Sequence, residues 1–349
     1  MTKYKFDEIA INSTQKKKPT EEDKVYYIGL EHIDPGCFDV VRWGSNVAPT
    51  GDKLLMQKGD VLFGKRRAYQ RKVAIAPFDG IFSAHGMVLR PNLKVIDANY
   101  FPFFISSDKF METAVRISVG GLSPTINWKD LARQEFELPS LDEQKVLADK
   151  LWAAYRLKEA YKKLLVATDE MVKSQFIEMF QDSPLVRLGD HIETQSGGTP
   201  NTKKGEYYDG GTIPWLSSGE VNLGYISSTE KYITEEGLEN SAAKWVPKNS
   251  VVIAMYGATA GKVGFITIPL TTNQAVCALL PNDAFNPLYL YYAVSSKKDW
   301  MIAQCRGAAQ PNISQGIIRS MKIPMPSLSE QIQFVNVIKQ ADKSKSVIQ

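Results

Sequence analysis

Pro139-Ser140-Leu141-Asp142-Glu143-Gln144 returns near the end of the chain as Pro326-Ser327-Leu328-Ser329-Glu330-Gln331. The match runs upstream at the same offset: Gly120 falls on Gly307, Pro124 on Pro311, Ile126 on Ile313 and Leu131 on Ile318. Further back the offset drifts by a few residues. Lys58, Ala68, Lys72 and Val73 then meet Lys248, Ala258, Lys262 and Val263, and Tyr27-Ile28 and Gly36 meet Trp215-Leu216 and Gly224. A duplication of this length implies two copies of one domain, each followed by the same kind of helix. Two similar modules on one chain fit the reading of two similar targets.

The 349 residues leave each copy enough chain to bury its own core. A net charge of +4 permits a nucleic-acid partner without demanding one. No uncharged apolar run approaches the ~18 residues of a membrane span, and Met1-Thr2-Lys3-Tyr4-Lys5-Phe6 lacks the apolar segment of a secretory signal. Cys37, Cys277 and Cys305 form neither a disulfide framework nor a metal-ligand spacing. The expectation is a cytoplasmic protein with no metal and no cofactor.

Within each copy, short apolar runs between polar turns predict strands: Val61-Leu62-Phe63 and Val251 to Ala254, then Gly86 to Leu89 and Ala275 to Leu280. Aromatic-rich helical stretches follow at Tyr100 to Val115 and Leu288 to Gln304, then a Gly- and Pro-bearing loop and a last strand, Glu135 to Leu138 or Lys322 to Met325. Between the copies, Leu141 to about Phe180 contains no Gly and no Pro. Its apolar residues recur at three- and four-residue steps: Leu147, Leu151, Ala154, Leu157, Tyr161, Leu164, Thr168 and Met171. That is the pattern of a coiled-coil seam. At ~1.5 Å per residue, roughly 40 residues make a rod of about 60 Å. Such a rod needs another helix or a partner to cover its stripe. Leu328, Ile332, Val335 and Ile338 of the second copy are the natural candidates, on a helix that runs for only about two dozen residues, cut short relative to the first.

The strongest charge signal is Lys65-Arg66-Arg67-Ala68-Tyr69-Gln70-Arg71-Lys72, a basic run directly after a strand. Such a loop suits phosphates, with Arg, Gln or Tyr able to reach base edges; the competing reading is a solvated hairpin. The second copy reads Met255-Tyr256-Gly257-Ala258-Thr259-Ala260-Gly261-Lys262, far less basic but ending on the same Lys. One scaffold with two differently decorated loops is what two specificities would look like. Gly257 to Lys262 is not a phosphate loop, because Tyr256 replaces the first Gly and Val263 the magnesium-holding Ser or Thr. Asn286-Pro287-Leu288-Tyr289 is similar to an adenine-methyltransferase motif, yet the second Pro is missing and the first copy has Asp97-Ala98-Asn99-Tyr100 there. A helix N-cap explains both. The loops Gly120 to Ile126 and Gly307 to Ile313 are turn-formers, read equally as connections or as DNA-facing segments in which Gln310 and Asn312 could pair with adenine. His32, His85 and His191 have no repeat counterparts, and Glu31, Asp34, Asp142 and Glu143 suit loops and helix starts. No catalytic constellation emerges.

Taken together, Ser196-Gly197-Gly198-Thr199-Pro200, then Gly211-Thr212-Ile213-Pro214-Trp215-Leu216-Ser217-Ser218-Gly219-Glu220, then Ala258-Thr259-Ala260-Gly261-Lys262-Val263-Gly264, and the doubled Pro-Ser-Leu-x-Glu-Gln, resemble the specificity (S) subunit of type I restriction–modification systems over nearly the whole chain. The first copy departs from the pattern, with Asn12-Ser13-Thr14-Gln15 and Lys16-Lys17-Lys18-Pro19 where Gly-Gly-Thr-Pro would stand. The resemblance implies an α+β fold: two tandem strand-rich target-recognition domains separated by long coiled-coil helices. The expected divisions are 1–140, a spacer helix at 141–182, 183–327, and a second, short helix at 328–349. It implies a non-catalytic subunit in which each domain reads half of a split double-stranded DNA target and the helices set the gap. Its implied partners are methyltransferase subunits, two of them, and restriction subunits. On this reading the DNA-contact candidates are Lys65, Arg66, Arg67, Tyr69, Arg71 and Lys72 in the first domain. In the second they are Thr199, Lys203, Lys204, Ser218, Tyr256, Thr259, Lys262, Gln310 and Asn312. The rival classes are a partner-binding scaffold without normal DNA targeting and a self-sufficient methyltransferase or nuclease.

Overall fold

The computed structural model describes residues 1–221, 224–305 and 312–348. The chain divides into two compact units, Met1–Ala160 and Tyr161–Gln349. Each is α+β, and the two repeat one another down to strand register.

In the first unit, Val61–Phe63 lies between Met87–Pro91 and Val73–Ile75, with Ala10–Ser13 at the edge beyond Met87–Pro91. A second sheet pairs Lys16–Lys17, Lys53–Met56, Gly80–Phe82 and Tyr27–Ile28 in that order. In the second unit Val251–Ala254 lies between Val276–Leu279 and Val263–Ile266, flanked by Thr194–Ser196 and Gly224–Ile226. Val61 faces Ile75 and Leu89, whereas Val251 faces Phe265 and Leu279. Phe63 faces Val73 and Met87, whereas Ile253 faces Val263 and Cys277. The same partners recur at a shift of 190 residues, so the drift seen in the sequence is confined to turns.

These central strands are apolar at every position because both faces are covered. Val61 and Phe63 point into a core built around Phe6, Phe104, Phe110 and Phe136, while Leu62 points into a second core with Ile28, Met56 and Phe82. Val251 and Ile253 likewise join Phe176, Phe180 and Tyr289, and Val252 and Ala254 join Leu216, Val246 and Leu270. Successive side chains alternate sides of a strand, so one three-residue run serves two cores. The aromatic-rich stretches are each two helices, Phe101–Ser106 then Asp108–Arg116, and Pro287–Ser295 then Lys298–Gln304. Ser107 breaks the first stretch and caps its second helix, accepting from the Phe110 amide. Asn286 caps Pro287–Ser295, with its side chain accepting from the Leu288 amide, as the cap reading expects.

The repeated hexapeptide starts a helix by the same contacts twice. Glu143 reaches back to the Ser140 amide (2.9 Å) and Glu330 to the Ser327 amide (2.9 Å), each the carboxylate half of a capping box. These contacts hold both carboxyls below their usual pKa: the Ser140 amide contributes most for Glu143 and the Ser327 hydroxyl most for Glu330. Gln144 and Gln331 are buried and act as clips. Gln144 donates to the Val95 and Pro139 carbonyls and accepts from the Asp97 amide. Gln331 donates to Ala284 and Pro326 and accepts from the Asn286 amide.

The helix so started runs from Leu141 to Phe180, 40 residues, and the second from Leu328 to Ile348. Their burial departs from the expected seam. Val172, Phe176 and Phe180 pack in the second unit's core with Phe334, Val335 and Ile338, while Trp152 and Tyr155 pack on the first unit's core. Leu147, Leu151, Ala154, Leu157, Tyr161, Leu164 and Met171 are exposed, as are Leu328 and Ile332. Of the expected seam, Val335 and Ile338 are the members that enter a core. The reason is size: the aromatic side chains one position over bury far more surface than Leu or Ala and take the domain-facing side. The apolar stripe on the long helix remains a surface.

Candidate nucleic-acid interface

In the first unit the basic run leaves the end of Val61–Phe63 and folds against a second loop, with Arg67 meeting Ser123, 56 residues away. The Arg67 amide donates to the Pro124 carbonyl (2.7 Å) and the Ile126 amide to the Lys65 carbonyl (3.1 Å). The Arg67 guanidinium donates to Ser123 Oγ from Nε (3.2 Å) and Nη2 (3.0 Å). Basic loop and Gly120 loop are therefore one surface. Between Arg67 and Arg71 a single turn, Ala68–Gln70, buries Ala68 and turns Tyr69 outward, 54 % exposed.

Arg67 and Arg71 both adopt left-handed backbone, φ 56° and 54°. The corresponding residues of the second unit are Gly257 and Gly261, φ 76° and 78°. That match explains why the second loop looks like a phosphate loop in sequence: its glycines shape a turn. An L-residue pays roughly 1–2 kcal/mol for this conformation, so the first loop holds two arginines at a cost the second avoids.

The six first-unit candidates divide by what they touch. Arg71 donates to Asp108 (2.6 Å) and to the Ser106 carbonyl (3.0 Å), and Lys72 to the Leu30 carbonyl (2.6 Å). These two tie the loop to the domain. Arg67 and Tyr69 are exposed, and Lys65 and Arg66 are half-buried beside them. Arg66 Nη1 lies 3.3 Å from His85 Nε2. Burial chiefly, with Arg66, Lys65 and Lys53 adding, depresses the His85 pKa, and burial with Lys16 depresses that of Lys65. A partly desolvated histidine and a half-buried lysine with further cations beside them form a site that suits an anion. His85, Lys16, Lys53 and Ser123 are additions that the sequence reading missed, although the Lys16-Lys17-Lys18 run marks part of it.

In the second unit the same loop pairs with the same partner. Ile313 donates to the Met255 carbonyl (2.9 Å), and Tyr256 bridges to Asn312 as Arg66 bridges to Thr125. The turn Ser218–Glu220 packs beside Gly257–Thr259, so Ser218, Tyr256, Thr259 and Asn312 come together, with Lys262 closing the loop through its amide to the Thr259 carbonyl. Thr199 donates to Gln274 Oε1 at 2.5 Å. Lys203 and Lys204 lie on the exposed turn before Tyr208, which packs on a separate small core of Ile213, Trp215 and Ile233. There Lys204 donates to Tyr207 (3.0 Å) and pairs with Glu206, which push its pKa up to about 12. Gln310 lies outside the described residues. The described residues contain no His, Cys, Asp and Glu group that could hold a metal ion.

The profile of the type I restriction modification DNA specificity domain matches residues 3–165 and again 181–349. The chain belongs to this family. It carries the specificity domain twice. A specificity subunit of the *Escherichia coli* type I restriction enzyme EcoR124I/EcoR124II is 31 % identical over 44 % of the chain, and one of *Methanocaldococcus jannaschii* MjaIX is 30 % identical over 46 %. The matches span 40 % and 38 % of those relatives' lengths. The crystal structure of a type I S subunit from *M. genitalium* superposes with a TM-score of 0.57 at 16 % identity, covering 99 % of this chain and 90 % of that one. A chain from a structural study of type I complex assembly gives 0.59 at 17 % identity, covering 99 % and 92 %. At these identities the likeness concerns the fold, and it reaches both specificity domains.

Proposed function

We propose that this chain is the DNA-specificity subunit of a type I restriction–modification complex. Each specificity domain reads one half of a split double-stranded target, through the 65–72 and 118–126 loops in the first and the 255–262 and 312–313 loops in the second. The observation that carries this is the repeat of one loop-on-loop surface in both domains, with the same backbone pairing and different side chains. Lys65, Arg66 and Arg67 supply phosphate contacts, and Tyr69, Tyr256, Thr259 and Asn312 are placed to meet base edges. The domain divisions are 1–140 and 183–327, joined by the 141–182 spacer helix and followed by 328–349.

The chain carries recognition, and methyl transfer and cleavage belong to partners. The apolar stripe Leu147, Leu151, Ala154, Leu157, Tyr161, Leu164 and Met171, together with Leu328 and Ile332, supports docking of two methyltransferase subunits, with restriction subunits joining the same scaffold. A partner-binding scaffold is the second reading, because that exposed stripe would serve it equally well. No helix among the described residues is long and apolar enough to cross a membrane, in keeping with action on cytoplasmic DNA.

The test reverses charge in the first loop, Lys65→Glu with Arg66→Glu, in the chain bound to its methyltransferase subunits. A large loss of duplex affinity and a salt dependence shallower by about 2, at ~0.9 per phosphate contact, is the expected result. Unchanged affinity and slope would remove the first loop from the interface; binding of partner without any DNA binding would select the scaffold reading.

A further inference from the structure

Tyr155 and Asp342 occupy the same place in their helices, each fourteen residues beyond the first residue, Leu141 or Leu328. Both reach the same part of their own domain, the segment after Gly36 in the first and after Gly224 in the second. In the first domain the helix supplies the tyrosine. Tyr155 donates to Asp39 Oδ2 (3.0 Å) and accepts from the Phe38 amide (2.9 Å) and the Asp39 amide (3.3 Å), with Cys37 Sγ at 3.5 Å. Its ring packs on Phe38 (5.1 Å between centroids), and Lys158 lies over the ring while donating to the Gly36 carbonyl (2.8 Å). In the second domain the roles are exchanged. The domain supplies Tyr225, whose hydroxyl donates to Asp342 Oδ2 on the helix (3.0 Å) and whose ring packs against Phe265.

We propose that Tyr155–Asp39 and Tyr225–Asp342 are equivalent latches, one per domain with donor and acceptor exchanged, that fix the angle of each recognition domain on its helix. They are positioning residues, outside the DNA-facing loops themselves. The proposal rests on the reading of the chain as a bipartite specificity subunit, and it deepens that reading. The helix is already seated on each domain by packing, Trp152 and Tyr155 on the first core and Phe334, Val335 and Ile338 in the second, with the hexapeptide clip at its start. Apolar packing is non-directional, and the latch adds a directed hydrogen bond about three turns beyond the clip that sets the rotation of the domain on its helix. One base pair of gap moves a half-site roughly 3.4 Å along and about 35° around the duplex. A domain whose orientation the latch sets discriminates against that displacement, and one held by packing and the clip without it can follow it in part. Tyr155 is buried and has several partners, whereas Tyr225 is half exposed, so the first latch is the stiffer.

The experiment uses the full chain with its methyltransferase subunits and a set of duplexes whose gap is the natural length, one base pair shorter or one longer. Tyr155→Phe and Tyr225→Phe keep the rings and remove only the hydroxyls. The expected result is that both variants read the same half-site bases, while preference for the natural gap falls by about tenfold for Tyr155→Phe, the order of loss that a modest misplacement produces, and by less for Tyr225→Phe. A wild-type complex with a fixed gap whose two Phe variants keep full gap preference overturns the latches and leaves the specificity-subunit reading intact. A wild-type complex with no fixed gap overturns that reading and the latches with it.

Discussion

Arg67→Gly separates a residue kept for DNA from one kept for the fold. The left-handed backbone at Arg67 costs roughly 1–2 kcal/mol, which glycine removes. Glycine gives back about 0.4–1 kcal/mol by loosening the unfolded chain. The exposed contact with Ser123 is worth at most about 1 kcal/mol, as surface hydrogen bonds generally are. These terms nearly cancel, and the second domain already uses Gly257 at this place. The melting temperature should therefore move by no more than about 4 °C, at the 2–4 °C per kcal/mol of a domain this size. DNA binding should change where stability does not. Loss of one phosphate contact makes the slope of log K against log salt shallower by about 0.9, and a fourfold rise in salt then separates variant from parent by about threefold. Thermal melting and fluorescence anisotropy over a salt series, both on the complex with methyltransferase subunits, supply the readings. A variant with parental affinity and slope would show that Arg67 serves only the Ser123 contact. A fall in melting temperature beyond about 10 °C would show that the strain ledger is wrong.

Other consequences follow from single contacts. Gln144→Leu strands the Asp97 amide and two carbonyls, and should destabilise the first unit by about 2–3 kcal/mol in urea unfolding, with Gln331→Leu doing the same in the second. Phe176→Ala removes a ring packed on Phe180, Tyr289 and Phe334 and should cost the second unit about 3–5 kcal/mol while sparing the first. Burial pushes the Cys277 thiol up to about 12, so a thiol reagent at neutral pH should label the half-exposed Cys37 and Cys305 in the native protein and reach Cys277 only after unfolding; fast native labelling of Cys277 would contradict its placement. His85 has a folded pKa below its unfolded one, so its penalty is absent at neutral pH and grows as pH falls through the ordinary histidine range toward the folded value. Phosphate beside it should raise that pKa, so DNA binding should take up a proton and tighten on mild acidification, and His85→Gln should flatten the trend.

The duplication was legible because the hexapeptide has a mechanism at each position: Ser and Glu cap the helix, and Gln clips it to the domain. The central strands were legible as unbroken apolar runs. The second sheets were harder to see, since strands such as Lys16–Lys17 and Tyr27–Ile28 are two residues long and carry no periodicity. The helix seam shows how spacing can mislead. Apolar residues at steps of three and four identified a real stripe, but the face that packs on the domains is the neighbouring one, carried by Trp152, Tyr155, Phe176 and Phe180. Those aromatics were the available signal. In the site, charge picked out the 65–72 run but could not tell Arg71 and Lys72, which hold the loop, from Lys65, Arg66 and Arg67, which present it. That distinction depends on Asp108 and Leu30, residues distant in sequence. Nor could the sequence show that Arg67 and Arg71 stand where the other copy has glycine, because a left-handed residue is defined by its backbone.

The central claim is that two similar surfaces on one chain read two halves of one DNA site. Its most direct test is to express the chain with methyltransferase subunits in a host lacking them and map methylated adenines across the genome. The account predicts one split motif with a constant gap, and replacement of residues 183–327 by the corresponding domain of a relative should change one half of that motif alone. Methylation at an unsplit site, or a replacement that alters both halves together, would contradict it.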